Sequence, residues 1–344
     1  MQKKWSVSLL ALVGVLTFAL SSCDDDDHTA YEERVVVANR ASGSLSFIDA
    51  VSDEVISTLV LPDAEPMYVV YVRQTDKVYV GDRRQNAVHV IDPDTRNVVQ
   101  SIAVGQGVFH MWADGKGRQL WVNNDIDNTI SVIDLRTHQV VHTISLSVKP
   151  HDVFLTREGQ HAYVSVINPN ANEPDSIFMF STKTKNRVGA KAVGKDPHVF
   201  HLSKGNQLLV PCQSGQLFVL KGNTLATIDA LDLEGAHGIF AAPDQREVVI
   251  TNISGQQLYY YDAIKRELVT SPAQAANPIP HNVAINAEGS KAFVTHSGGT
   301  ANTVSIYSLT GDALEAEETL TVGNNPFGLA YYVRKAPEAD RFND

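Results

Sequence analysis

Cysteine is scarce in this 344-residue sequence, which contains only Cys23 and Cys212. Cys23 directly follows an N-terminal leader, so we expect no disulfide within the folded part of the chain. Basic residues are also outnumbered, because 28 Lys and Arg face 39 Asp and Glu and leave a net charge of −11. A chain this acidic repels phosphate backbones, and it has no basic stripe, so nucleic-acid binding is excluded.

Several catalytic motifs are absent from the sequence. It has no CxxCH for covalent haem attachment, no GxSxG nucleophile turn, no phosphate-binding loop and no HExxH zinc helix. No second long apolar run follows the leader. These absences favour a binding protein over an enzyme.

The N-terminal leader has Lys3 and Lys4 followed by an apolar run over residues 7–20. The run is too short for a spanning helix and predicts a signal peptide over residues 1–22. Its end, "LSSC", resembles the lipobox of bacterial lipoproteins, which implies lipid attachment to Cys23. The alternative is ordinary signal cleavage at Ser22.

The acidic stretch "DDDDH" follows Cys23 within a tether over residues 23–34. It resembles the export tag of Bacteroidota surface lipoproteins, which implies an outer-membrane, surface-exposed envelope protein. An aspartate at this place also resembles a retention signal, so a periplasm-facing anchor is the alternative.

A unit of about 40 to 46 residues recurs seven times, each with four short β-rich runs separated by turn residues. The units begin at Val35, Val78, Leu120, Ala162, Leu208, Val248 and Ala292. Four strands at this period predict an all-β fold, a seven-bladed β-propeller with four antiparallel strands per blade. The stretches "LWVNNDIDNTISVID" and "AFVTHSGGTANTVSIY" resemble the YVTN-type propeller repeat.

The phase of the repeat predicts how the ring closes. The chain opens on the equivalent of a second strand, and "FGLAYYV" at residues 327–333 reads as a first strand. We therefore expect this C-terminal innermost strand to join the three N-terminal strands. The propeller is predicted to span residues 35–335, with a tail over 336–344, and to be a monomer because no sheet edge stays open.

Histidine recurs at the start of the inner strands, as in "KPHDVF" and "DPHVFH". The equivalent positions, expected to ring one mouth of the channel, are Met67, His110, His151, His198, His237, His281 and Phe327. The ends of the second strands should surround them, at Asn39, Asp82, Asn123, Asn124, Cys212, Asn252 and His296. Loops 166–176 and 295–302 are candidates for a partial lid.

Clustered neutral imidazoles are ligands for transition metals. We predict metal ligands among His110, His151, His198, His237, His281 and His296. Further ligand-binding residues are predicted at Met67, Asn124, Cys212, Asn252 and Phe327. Met67 and Cys212 would favour a soft ion such as Cu(I). The structural alternative is that a Pro-His turn merely caps each strand.

Three functions remain open from the sequence. The first is an anchored binding protein that captures copper, zinc, haem or a corrinoid, similar in plan to Bacteroidota surface propeller lipoproteins that catch corrinoids before an outer-membrane transporter. The second is a copper- or haem-dependent oxidoreductase. The third is a protein-interaction scaffold of the cell envelope.

Overall fold

The computed structural model of the protein describes residues 30–309 and 313–336, and their regular structure consists of 29 β-strands. The predicted signal peptide, Cys23 and most of the predicted tail lie outside the described residues. The first fifteen strands are β1 (Tyr31–Asn39), β2 (Ser44–Asp49), β3 (Glu54–Val60), β4 (Pro66–Val72), β5 (Lys77–Asp82), β6 (Ala87–Ile91), β7 (Val98–Ala103), β8 (Val108–Ala113), β9 (Gln119–Asn124), β10 (Thr129–Asp134), β11 (Gln139–Ser145), β12 (Lys149–Leu155), β13 (His161–Ile167), β14 (Ser176–Ser181) and β15 (Arg187–Ala192). The others are β16 (Phe200–Leu202), β17 (Gln207–Cys212), β18 (Gln216–Lys221), β19 (Thr227–Asp232), β20 (Ala236–Ala241), β21 (Glu247–Asn252), β22 (Gln257–Asp262), β23 (Glu267–Leu268), β24 (Ala273–Gln274), β25 (Pro280–Ile285), β26 (Lys291–His296), β27 (Thr303–Ser308), β28 (Glu315–Thr321) and β29 (Pro326–Lys335).

The strands form seven antiparallel sheets, which are the seven blades of a β-propeller and confirm the predicted fold. Blade 1 has the order β29-β1-β2-β3, and blades 2 to 5 each take four consecutive strands from β4 to β19. Blade 6 runs from β20 to β23, with β24 also pairing β22, so its outer strand is divided. Blade 7 contains β25 to β28.

The C-terminal strand closes the ring as predicted. β29 pairs antiparallel with β1, with Val35 opposite Tyr331 and Asn39 opposite Pro326. The first blade is therefore built from both ends of the described chain, and no unpaired edge separates blade 1 from the rest of the ring.

A repeated aspartate turn connects the third and fourth strands of several blades. The carboxylate of Asp134, for example, accepts the backbone N–H groups of Arg136 and Thr137. His138 then takes a positive φ of 54° and reverses the chain. Asp49, Asp92 and Asp262 accept the same pair of backbone N–H groups in their own blades. Such turns reflect the ability of aspartate to bond backbone two residues on.

The apolar core lies between neighbouring blades and is formed by the inner three strands. One cluster joins Met67 and Tyr79 of blade 2 to Met111 and Val122 of blade 3. The outer strands are largely exposed, as in β11. Within the described residues, no helix is present that could cross a membrane.

Candidate functional site

The inner strands carry a repeated β-bulge at the face where the histidines lie. In six sheets the register shifts so that two inner-strand residues oppose one residue of the second strand. In blade 4, His151 and Asp152 together oppose Ser165. The first bulge residues are Met67, Phe109, His151, His237, His281 and Phe327, and His198 has the corresponding place in blade 5, after the bridged Pro197. A bulge of this kind re-aims side chains, here toward the channel mouth.

His110 does not occupy the position that was predicted for it. The register of blade 3 makes Phe109 the first bulge residue and His110 the second. His110 therefore corresponds to Asp152 of blade 4. The position predicted for blade 3 from the sequence was wrong by one residue. Phe109 takes the place in the ring, and its side chain stacks on the His151 imidazole at a centroid distance of 4.5 Å.

Four imidazoles from consecutive blades form a continuous arc at the mouth, which we call the histidine arc. The ring centroids of His151 and His198 are 5.0 Å apart, those of His198 and His237 are 4.0 Å apart, and His281 lies 4.8 Å beyond His237. Phe327 continues the arc at 4.1 Å from His281. The predicted convergence of histidines is present, with four members from the inner-strand repeat.

Aromatic side chains complete the circle on the side that lacks histidine. The Tyr68 ring contacts the rings of Phe109 and Phe327 at centroid distances of 5.9 and 5.5 Å. The Arg40 guanidinium lies 5.4 Å over Phe327. Met67 is fully buried in the apolar cluster between blades 2 and 3. Its thioether is thus part of the core.

Four nitrogens of the histidine arc are buried without a hydrogen-bond partner among the described protein atoms. They are Nε2 of His151, Nε2 of His198 and both ring nitrogens of His237. A buried unpaired polar atom costs about 1 to 3 kcal/mol, so several in one place indicate a ligand or bound water. His281 differs, because its Nδ1 accepts a hydrogen bond of 2.9 Å from the Asn282 amide.

Asp152 orients two imidazoles from a buried position below the arc. Its carboxylate oxygens lie 2.7 Å from Nδ1 of His110 and 3.3 Å from Nδ1 of His198. The backbone N–H groups of Val153 and Val199 donate to the same carboxylate. A proton on Nδ1 of His198 that faces Asp152 leaves the Nε2 lone pair free. This is the carboxylate–histidine arrangement that prepares an imidazole to bind a metal.

Asp196 brings an oxygen ligand next to the arc. Its Oδ1 atom lies 3.1 Å from Nε2 of His151, although without the alignment of a hydrogen bond. Ligand atoms of His151, Asp196 and His198 all lie within 4.8 Å of one another. Two imidazole nitrogens and one carboxylate oxygen form a set that suits zinc or copper.

Burial keeps the deepest imidazoles neutral. Desolvation, followed by repulsion from His198, holds the pKa of His237 well below its usual value and lowers the pKa of His281 to about 3. Burial raises the pKa of the Asp152 carboxyl, but attraction and hydrogen bonding to His110 and His198 together outweigh burial, and the net pKa is lowered. The site therefore combines neutral imidazoles with ionised carboxylates, the protonation states needed for metal binding.

We expect stability to fall on acidification below pH 6.5. Burial lowers the pKa of His281 to about 3 and that of His296 to about 4, whereas both take up protons near pH 6.5 when unfolded. Between these limits the unfolded state binds more protons than the folded state. Each histidine therefore lowers the free energy of unfolding by about 1.4 kcal/mol for every unit by which the pH falls. Urea unfolding from pH 7 to 4.5 measures the slope.

The variant His296→Asn tests whether buried histidines cause this pH dependence of stability. Asparagine is a suitable replacement because blades 1, 3 and 6 have it at the same position, at Asn39, Asn124 and Asn252. We expect it to flatten the pH slope by about 1.4 kcal/mol per pH unit between pH 6 and 4.5. The exposed His142→Asn should leave the slope unchanged. Equal slopes in wild type and His296→Asn would contradict the assignment.

The ends of the second strands lie at the mouth end of each blade, as predicted, because they pair with the first residues of the inner strands. Their side chains bond within their own blades, however. The amide of Asn124 donates to Thr129 and Ser131, and Nε2 of His296 bonds Ser305. Asn39, Asp82 and Asn252 make comparable bonds within blades 1, 2 and 6. Asn123 differs, because it donates to the His151 carbonyl at 3.1 Å and fixes the bulge.

Cys212 is not part of the group that His151, Asp196 and His198 form. Its side chain is fully buried in an apolar cluster with Leu217 and Leu233. Burial raises the pKa of its thiol to about 12, so it stays protonated at neutral pH. With Met67 in the core as well, the sulfur atoms that favoured Cu(I) are not placed to ligate.

The two predicted lid loops lie at the mouth and are tied to the strands beside it. The Asp175 carboxylate accepts the backbone N–H groups of Asn168 and Asp196 and pairs with Lys195. In the other loop, the Gly298 N–H donates to Asn325. The first loop therefore fixes the turn that carries Asp196.

Sequence reasoning missed Asp152, Asp196, Phe109 and Tyr68 as neighbours of the histidines. Asp152 directly follows His151 in "PHDV", and Asp196 precedes His198 by two in "DPH". The sequence does show an acidic residue close to the recurrent histidine in both blades. It does not show the bulge, which turns the Asp152 side chain toward the next blade.

Part of the chain matches a known family. Residues 51–195, which are less than half of the sequence, match the model of the family described as the Cytochrome D1 heme domain. The "Uncharacterized protein YncE" of Salmonella typhi and that of Salmonella typhimurium are each 24% identical to this chain over 155 residues. The match spans 42% of this chain and 43% of the length of these curated relatives.

Solved structures share the fold at low sequence identity. Kuenenia stuttgartiensis hydrazine synthase has a TM-score of 0.65 and 13% identity, over 79% of this chain and 95% of the other. The dihydro-heme d1 dehydrogenase NirN in complex with DHE has a TM-score of 0.62 and 14% identity, over 86% of this chain and 74% of the other. Together with the seven sheets, these findings identify the chain as a propeller repeat protein.

Proposed function

We propose that this propeller is a binding protein that holds a transition metal at the histidine arc, either as a free ion or as the centre of a haem-like small molecule. The observation that carries the proposal is the set of buried imidazole nitrogens without a hydrogen bond, Nε2 of His198 and both ring nitrogens of His237, next to Nε2 of His151, which faces Asp196. Nearly all buried polar groups in native proteins are bonded, so a cluster of unbonded imidazole nitrogens is best explained by a ligand.

The comparisons support a haem-like ligand in particular. The matched segment is similar to a family described as a haem domain, and one structural neighbour was solved in complex with DHE. The matched segment includes His151 and Asp152, although it ends before His198. A corrinoid has the same chemistry, a planar macrocycle whose metal accepts an axial imidazole, and it remains an arm of the test.

The side chains present fit such a group. His151 is the most accessible member of the arc, with 11% of its side chain exposed, against 4% for His198. We therefore expect His151 to reach the metal of a macrocycle lying over the mouth, and His198 to join it when the ligand is a bare ion. A bound metal would supply Lewis-acid or redox chemistry at this place. Asp152 holds the His198 proton on Nδ1, and Asp196 completes the set for a free ion.

A titration series tests the proposal. Protein freed of metal is titrated with haemin, a corrinoid, Zn²⁺ and Cu²⁺, and binding is followed by the visible spectrum and by calorimetry. We expect His151→Ala to weaken macrocycle binding at least about tenfold and His198→Ala to weaken ion binding similarly, the loss of one coordinating group. The exposed His142→Ala is the matched control. Binding that is equal in all three variants, or absent from wild type, would favour an interaction scaffold.

We further propose that the protein is a lipoprotein of the cell envelope, displayed on the outer membrane beside a transporter that receives the ligand. The support is the "LSSC" and "DDDDH" sequence at Leu20 to His28. The replacement Cys23→Ser should move the protein from the membrane fraction to the soluble fraction. Persistence of the variant in the membrane fraction would show that another element anchors it.

A further inference from the structure

The opposite end of the channel contains a second concave site that the histidine arc does not use. A cavity of about 710 Å³ opens there, lined by the C-terminal halves of inner strands from five blades and by blade 1 strand β29. This volume lies within the range of about 300 to 1,000 Å³ typical of small-molecule sites. It is separated from the mouth by the layer that holds Asp152 and His110.

One wall of this cavity is a cluster of four aromatic rings. Trp112 stacks on Phe154 at a centroid distance of 4.6 Å, whereas Phe200 is tilted against Phe154 at 4.8 Å and Phe240 meets Phe200 edge-on at 5.1 Å. Trp112 also lies 6.5 Å from both Phe200 and Phe240, so the four rings pack against one another. These residues have equivalent places in blades 3 to 6, where they pair across the sheet with the corresponding second-strand positions.

The facing wall is built from small side chains. The equivalent positions of blades 2, 7 and 1 hold Val70, Ala284 and Ala330, of which Val70 and Ala330 line the cavity. Four large rings lie on one side of the channel and short side chains on the other. The cavity is therefore off-centre and lies next to the aromatic wall. Trp112 and Phe240 remain partly exposed to this space. Exposed aromatic faces prefer flat, polarisable partners.

The rim of the cavity carries two exposed cations. Arg73 and Arg157 follow inner strands β4 and β12. Neither side chain forms a hydrogen bond or salt bridge within the described residues, and the neighbour of Arg157, Glu158, is itself paired with Lys116 at 2.9 Å. Asp114, the one carboxylate among the lining residues, is paired with Arg118 and with backbone N–H groups. Arg73 and Arg157 are therefore available to meet an acidic group at the rim.

We propose that this cavity binds a flat, conjugated organic anion. Its rings lie against the wall of Trp112, Phe154, Phe200 and Phe240, and its acidic group meets Arg73 and Arg157. Guanidinium groups bind carboxylates, sulfonates and phosphates through paired N–H donors, which gives selectivity for an acidic ligand over its neutral analogue. The site is independent of the histidine arc and requires no metal.

Two fluorescent probes of the same size test the proposal. 8-Anilinonaphthalene-1-sulfonate carries an acidic group, and N-phenyl-1-naphthylamine lacks it. We expect saturable binding of the sulfonate at a single site, with energy transfer from Trp112. The double variant Arg73→Gln, Arg157→Gln should weaken the sulfonate at least about tenfold, as loss of charge-assisted bonds predicts, and the neutral probe less than about twofold.

Controls separate this site from the arc and from unfolding. Trp112→Leu should weaken both probes, while Arg136→Gln, an exposed arginine in an outer turn of the same face, and His198→Ala should change neither. Unchanged melting temperatures show that the variants remain folded. Non-saturable binding, or sulfonate affinity that survives both the double variant and Trp112→Leu, would overturn the proposal while leaving the histidine arc untouched.

Discussion

A protein that lacks residues 327–344 is expected not to fold into a stable propeller. The deletion removes nearly all of β29, the inner strand of blade 1, and with it the buried side chain of Tyr332. The Tyr332 ring stacks on Tyr71 of blade 2 at 4.3 Å, so the loss also opens the contact between two blades. Several buried side chains at about 1.5 to 3 kcal/mol each approach the whole stability of a domain, about 5 to 15 kcal/mol.

The same strand carries an ion-pair network. Arg334 is 9% exposed and contacts Glu32 of blade 1 at 2.8 Å, with Asp76 and Asp94 of blade 2 at 2.7 and 2.5 Å. Deletion leaves these three carboxylates close together without their shared cation. The matched control removes only residues 337–344 and keeps β29. Circular dichroism and thermal melting compare the two proteins, and a cooperative transition of the shorter protein near the wild-type temperature would refute closure by β29.

The variant Asp152→Ala is expected to reduce both stability and metal binding. Asp152 is 4% exposed, and its carboxylate contacts two imidazoles and accepts hydrogen bonds from two backbone N–H groups across three blades. Removal of one partner from such a buried network costs about 3 to 5 kcal/mol of unfolding free energy. Loss of the group that orients a ligating histidine typically weakens metal affinity about 10- to 100-fold.

The variant Asp152→Asn distinguishes orientation from simple packing. It preserves shape, so we expect a smaller loss of stability than in Asp152→Ala, while the His198 tautomer is no longer fixed and the affinity loss persists. Asp134→Asn, in an exposed turn between β10 and β11, controls for loss of one carboxylate. If the loss of metal affinity is proportional to the loss of unfolding free energy in both Asp152 variants, this residue acts only through packing.

The fold could be predicted from the sequence because the repeat determines it. Seven units of similar length with alternating apolar residues define seven sheets, and the phase of the first and last units defines closure. The "ID" turns before the outer strands of blades 1 to 3 appear in the structure as carboxylates bonded to backbone, as at Asp134. Local chemistry and long-range pairing agree at these positions.

The site was harder to predict, since it depends on one-residue register. His110 was matched to His151 by residue type, yet the bulge places Phe109 at that position. A shift of one residue moves a side chain to a different environment. Likewise, the sequence does not show that His296 is bonded on both nitrogens while His237 is bonded on neither. That difference depends on the partners that neighbouring blades supply.

Metal binding at the histidine arc is tested most directly by the metal content and visible spectrum of protein purified without chelator. We expect a transition metal or a haem-like absorption band in the wild-type protein and in His142→Ala. We expect loss of both signals in the double variant His151→Ala, His198→Ala, with folding retained, because these side chains lie at the channel mouth. A double variant with the same metal content and spectrum as wild type, or a wild-type protein that neither carries nor takes up a metal or macrocycle, would contradict metal binding at the histidine arc.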